Sequence, residues 1–122
     1  MKVHLYGNTL NSAYHLTKLM RSKGIDAILF LDQSSVHEQD YPWWDDPTIN
    51  KNNLPNWIKY YTTFPFFLFP NKETRRMIKD FGDCDIALVS CYGPMLAMKW
   101  KVPFMFYSLG SDLKMIAIKK DL

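Results

Sequence analysis

Two rhythms of apolar residues alternate along the chain. Residues 2–6, Lys-Val-His-Leu-Tyr, form a short β-prone run that ends in Gly7-Asn8-Thr9-Leu10-Asn11, where glycine and asparagine supply turn and cap chemistry. From Ser12 to Lys23 the apolar positions Ala13, Leu16, Leu19 and Met20 recur at helical spacing, and Gly24 follows as a stop. Residues 26–31, DAILFL, are a second strand, apolar almost throughout, as a strand covered on both faces would be. Regular patterning lapses from about residue 33 to 71 and resumes in KETRRMIKDFGDC, a helix closed at Gly82. Residues 85–91 give a third strand and residues 93–101 a helix with Pro94 in its first turn, where the missing N–H costs nothing. Residues 103–108 give a fourth strand, and a further helix starts at Ser111 or Asp112, either of which caps it.

The order β-α-β, insertion, α-β-α-β-α predicts one α/β domain over residues 1–122, with a parallel sheet of about four strands flanked by helices. In such a sheet the carboxyl ends of all strands share one edge, and ligands bind there. Residues 7–11, 90–94 and 108–113 therefore become neighbours, each passing a strand to a helix whose first N–H groups are unpaired and electropositive. Gly110 permits a sharp turn, while Ser111 and Asp112 either cap the helix or hold hydroxyls of a ligand. The Gly7 loop has neither the further glycines of a dinucleotide fingerprint nor the Lys-Ser/Thr of a P-loop, which argues against classical NAD or ATP binding.

Composition narrows the options. With 48% hydrophobic and 22% charged residues the chain is that of a folded globular protein, and 122 residues suffice for one core. A net charge of +3, with lysines scattered apart from Lys114, Lys119 and Lys120, is too little for a nucleic-acid partner. No apolar run approaches a membrane span, and the first twenty residues mix in Lys2, His4, Asn8, Asn11 and His15, so the chain is expected in the cytoplasm. Cys84 and Cys91 fit no zinc spacing and are expected to be buried free thiols; no metal is expected. His4 falls in a strand, His15 in a helix and His37 in a loop, as packed or solvated residues rather than catalysts. Residues 41–69 hold ten of the nineteen aromatic residues. Trp43 or Trp44 would stack on a sugar ring, or the Phe-rich run would meet a lipid-linked acceptor; the favoured account is a satellite core that keeps the long loop ordered. Asp45 and Asp46 are expected to point opposite ways as solvated loop charge.

Three stretches together, residues 1–31, DYPWWDDP and residues 85–114, resemble the amino-terminal domain of bacterial and archaeal glycosyltransferases of the two-domain, Rossmann-like GT-B type, family 4-like. The resemblance implies transfer of a sugar from a nucleotide-sugar to a sugar or lipid-linked acceptor held mainly by this half. It implies a substrate cleft lined by Gly7, Asn8, Thr9, Tyr92, Gly93, Gly110, Ser111 and Asp112, with Gly7 and Asn8 nearest the donor diphosphate, and acceptor contacts from Trp43 and Trp44. No cofactor is bound by this chain on that view, and the nucleotide-sugar belongs to the complete enzyme. A donor-binding domain with paired glutamates is required in cis or in trans, so this polypeptide alone is expected to be inactive. The inner membrane face becomes a possible peripheral location. Met115 and Ile118 of the last helix are expected to leave apolar surface for a partner or for self-association. The competing class is a non-catalytic small α/β module that binds a ligand or a protein. Within it, a receiver domain would need clustered acids after the first strand, and a flavodoxin-like protein a hydroxyl-rich phosphate loop there.

Overall fold

The computed structural model describes residues 1–33, 37–62, 72–90 and 102–107. Strand β1 spans Lys2–Tyr6, a 3-10 turn Thr9–Asn11 leads into α1 at Ser12–Ser22, and β2 spans Asp26–Leu31. A second 3-10 turn at Glu38–Asp40 precedes the four-residue helix α2, Pro42–Asp45. Then come β3 at Ile58–Tyr60, α3 at Lys72–Phe81, β4 at Ile86–Val89 and β5 at Phe104–Phe106. The helices expected over 93–101 and from 111 lie outside the described residues.

The five strands form one sheet in the order β3-β2-β1-β4-β5, and every pair is parallel. The expected α/β architecture, Rossmann-like with helices flanking a parallel sheet, is therefore present. The fifth strand, β3, comes from inside the aromatic insertion, as an Ile-Lys-Tyr run that docks beside β2 through Leu29 N–H to Trp57 O at 2.9 Å and Tyr61 N–H to Leu31 O at 2.9 Å. β1 is central, with Tyr6 opposite Phe30 on one side and Val89 on the other. Connections from β1 run to β2 and β3 in one direction, whereas β4 and β5 extend from the opposite edge of β1.

Side-chain alternation gives the sheet two buried faces. Val3, Leu5, Ala27, Leu29 and Leu31 pack against Ala13 and Tyr14 of α1. Tyr6, Phe30, Ala87 and Val89 pack against Met77, Ile78 and Phe81 of α3. Helix α1 stops where the spacing predicts. Gly24, at φ +81°, donates its N–H to Arg21 O at 3.0 Å, and Ile25 N–H reaches Met20 O at 3.1 Å, so both orphan carbonyls are satisfied by a Schellman turn. Leu19, apolar and in helical register, stands 56% exposed, because the buried stripe of α1 runs through Ala13, Tyr14 and Thr17. Among the described residues no helix is long and apolar enough to cross a membrane.

His4 and Phe81 tie β1 to α3. Both are buried; His4 Nδ1 lies 2.8 Å from Phe81 O, and since a carbonyl only accepts, Nδ1 carries the hydrogen. The Phe81 ring meets Phe30 edge-on at 5.2 Å and Tyr6 at 6.4 Å. Truncating a fully enclosed aromatic side chain leaves a cavity, so Phe81→Ala is expected to cost about 3–5 kcal/mol in urea unfolding. Burial holds the His4 pKa below its ordinary value, against the weaker upward pull of the Phe81 carbonyl. The folded chain thus keeps His4 neutral where the unfolded chain takes a proton. Its contribution is full above about pH 6.5 and declines as pH falls below that value towards the lowered folded pKa. Unfolding free energies measured between about pH 5 and about pH 8 should show this decline, and it should flatten in His4→Phe.

Candidate functional site

The carboxyl edge of the sheet is organised around one carbonyl. β1 ends at Tyr6, and Gly7 turns the chain with φ +99°. A Cβ at this position would stand 2.1 Å from Ser90 Oγ and 2.8 Å from Ser90 O, so only glycine lets the tips of β1 and β4 approach this closely. Ser90 follows β4, is fully buried, and donates its N–H to Tyr6 O at 3.0 Å and its hydroxyl to Gly7 O at 2.9 Å. From the end of β5 the Tyr107 hydroxyl donates to the same Gly7 oxygen at 3.2 Å. Three strand ends thus converge where successive connections leave in opposite directions, the position at which wound α/β sheets open a crevice.

The loop from Gly7 to α1 is held by its own amides and by acids from the insertion. Asn8 Oδ1 accepts the Tyr14 N–H at 2.7 Å, supplying the cap that the nominal N-cap residue Asn11 does not. Asn8 Nδ2 donates to Asn11 Oδ1 and to Asp40 O, each at 2.8 Å. Leu10 and Asn11 both take left-handed backbone, with φ 52° and φ 61°. For asparagine this is tolerated, but for leucine it is strained, and Leu10 is also 69% exposed. The strain is held in place by Asp40 Oδ1, which accepts the Leu10 N–H at 2.8 Å. Asn11 Nδ2 donates to Asp45 Oδ2 at 2.9 Å, and His15 Nε2 lies 3.1 Å from the same oxygen. The Asn11 hydrogen bond, then that of His15, holds the Asp45 carboxyl below the ordinary carboxylate range. Asp46 is lowered mainly by the Thr48 hydroxyl at 2.6 Å, and also takes the Tyr14 hydroxyl at 3.4 Å. The two adjacent acids have different partners, and both are engaged with protein groups rather than simply solvated.

At the tip of β2, Asp32 is only 4% exposed and its Oδ2 accepts the Tyr6 hydroxyl at 2.9 Å. Its main-chain carbonyl takes the Tyr41 hydroxyl at 3.2 Å. Desolvation, with smaller contributions from Tyr60, Asp32 and Asp40, pushes the Tyr41 phenol up to about 12. The Tyr41 ring stacks on Trp43 at 4.7 Å with planes 7° apart, and Tyr60 meets both rings edge-on at 6.4 and 6.0 Å. Trp43 also borders an open cleft of about 400 Å³ with Asn50, Lys51 and Asn52, while Trp44 points outward, 59% exposed.

Of the residues singled out from the sequence, Gly7, Asn8 and Thr9 lie together at this rim. Trp43 and Trp44 sit on α2, whose last residue Asp45 binds the rim loop. Tyr92, Gly93, Gly110, Ser111 and Asp112 lie outside the described residues. Sequence reasoning passed over Asp32, Asp40 and Tyr107. Asp32 carried a signal, as an acid directly after a strand that ends on the shared carboxyl edge; Asp40 carried none, since its role depends on a contact 30 residues away in the chain. Among the described residues no group of three or more His, Cys, Asp or Glu side chains could hold a metal. Cys84 is a free, half-buried thiol whose pKa burial raises.

Fold and rim together define a five-stranded, all-parallel α/β domain of Rossmann-like topology with an acid- and amide-rich carboxyl edge. No protein-family model, curated protein or solved structure matches the chain. Chemically, carboxylates and amides of this kind accept and donate hydrogen bonds to neutral hydroxyls, whereas Asp40 and Asp45 at the start of α1 would repel a phosphate. Gly7→Ala combines left-handed strain with a clash on Ser90 and is expected to cost about 2–4 kcal/mol in urea unfolding. Adding Ser90→Ala to that variant removes the nearest clashing atom and should recover part of the loss.

Proposed function

We propose that this chain is the acceptor-side half of a glycosyltransferase, inactive alone, which presents a hydroxyl-bearing acceptor at the carboxyl edge of its sheet to a nucleotide-sugar held by a donor-binding domain supplied in cis or in trans. The observation that carries this reading is the meeting of the β1, β4 and β5 ends on the Gly7 carbonyl at the switch point of the strand order. Two features favour the acceptor over the donor. The α1 N-terminus, which in many wound sheets receives a diphosphate, is already complemented here by Asn8, Asp40 and Asp45. The neighbouring cleft sets an indole beside amide side chains, a combination suited to the apolar face and the hydroxyls of a sugar. In the reaction an acceptor hydroxyl would attack the anomeric carbon, lose its proton, and displace the nucleoside diphosphate. Such a role belongs to the cytoplasm or to the inner face of the membrane, where a lipid-linked acceptor is the alternative to a free sugar.

A second reading, a non-catalytic module that binds a ligand or a protein, is favoured by one observation: Asn8 and Asn11 are satisfied by the protein itself. Titration of the ¹⁵N-labelled chain distinguishes the two. A panel of mono- and disaccharides is expected to shift Gly7, Asn8 and the Trp43 indole, while UDP-glucose alone leaves them in place. Saturable binding of UDP-glucose would mean that the halves are assigned the wrong way round, and silence towards every saccharide would overturn the acceptor role.

A further inference from the structure

The face of the sheet that packs towards α3 carries a second feature, which also borders Tyr60 of the aromatic cluster beside the rim. A cavity of about 600 Å³ lies between α3 and the β1, β2 and β3 strands, within the size range of small-molecule sites. Ile28 and Phe30 give it an apolar wall, and His4 contributes to it from the central strand. His4 is 2% exposed, and its Nε2 is buried with no hydrogen-bond partner. Because Nδ1 donates to Phe81 O, Nε2 is the bare acceptor of the ring, and it lies on the ring edge away from Phe81. A buried acceptor left unmet is costly, and most such groups in folded proteins find a partner.

The rest of the lining is electrostatically lopsided. Lys2, Lys59, Arg76 and Lys79 border the cavity against Asp80 and Asp83. Lys2 pairs with Asp83 at 3.2 Å, Asp80 accepts the Tyr61 hydroxyl at 2.6 Å, and Arg76 is drawn to Glu73. No ion pair is present for Lys59 or Lys79 among the described residues. We propose that this cavity binds a small organic anion carrying a hydroxyl or N–H group, whose donor reaches His4 Nε2, whose apolar body lies on Ile28 and Phe30, and whose anionic end meets Lys59 and Lys79. A cation is disfavoured by the surplus of positive side chains, and a purely apolar molecule leaves Nε2 unmet. Entry of the donor needs a small displacement of the atoms that now close Nε2 from solvent.

The test uses 4-hydroxybenzoate as probe and benzoate as its donor-less control, followed by the imidazole ¹⁵N resonances of the labelled chain. The hydroxylated probe should shift His4 Nε2 saturably, as acceptance of a hydrogen bond does, and benzoate should bind more weakly without that shift. Lys59→Ala/Lys79→Ala, confined to exposed positions, should keep the melting temperature and weaken 4-hydroxybenzoate by about tenfold or more, as expected for losing hydrogen bonds to a charged group. No saturable shift at His4 with either probe, equal binding of the two probes, or unchanged affinity in the double lysine variant would each overturn the proposal.

Discussion

Everything at the carboxyl edge of the sheet depends on β1 being paired in parallel along both of its sides. That one strand, five residues long, is buried on both faces and flanked by β2 and β4, which fixes its direction relative to every other strand. Parallel pairing on two sides puts the ends of β1, β2 and β4 at the same level. The backbone at Gly7 then has to clear Ser90, and the missing Cβ is what permits it. The hydrogen bonds from Ser90 and Tyr107 to the Gly7 carbonyl are consequences of that arrangement, linking residues 83 and 100 positions apart.

The insertion after β2 contributes in two ways. Its strand β3 extends the sheet, and its aromatic side chains Tyr41, Trp43 and Tyr60 form a small cluster beside the rim. Its acids do something different: Asp40 and Asp45 reach back to the Gly7–α1 loop and hold Leu10 and Asn11 in left-handed conformations. The same acids place negative charge beside the start of α1, so the segment that orders the loop also sets its electrostatics. The aromatic cluster agrees with the satellite-core account of this segment, while Trp44, on the same short helix, remains free to meet another molecule.

Much of the framework was legible in the apolar rhythm. β1, α1, β2 and α3 lie where their periodicity puts them, and β4 and β5 are cores of the longer runs 85–91 and 103–108. Strands buried on both faces read as continuous apolar runs, and a helix with Thr74, Met77, Ile78 and Phe81 buried shows its stripe directly. β3 was hidden because three residues, one of them the exposed Lys59, are too few to establish a period of two. The rim was legible as a set of loops, since topology alone decides which strand ends meet. Its hydrogen bonds were not: which asparagine caps α1, and which aspartate grips Leu10, follow from distances of 3 Å or less that local sequence does not encode.

Nuclear Overhauser contacts across the central strand test this account most directly. A parallel β1 requires Tyr6 to lie beside both Phe30 and Val89 while Val3 lies beside Ala27 and Ile86. Contacts pairing Val3 with Phe30 or Val89 would make a neighbouring strand antiparallel, separate the Gly7 and Ser90 turns, and contradict the shared rim.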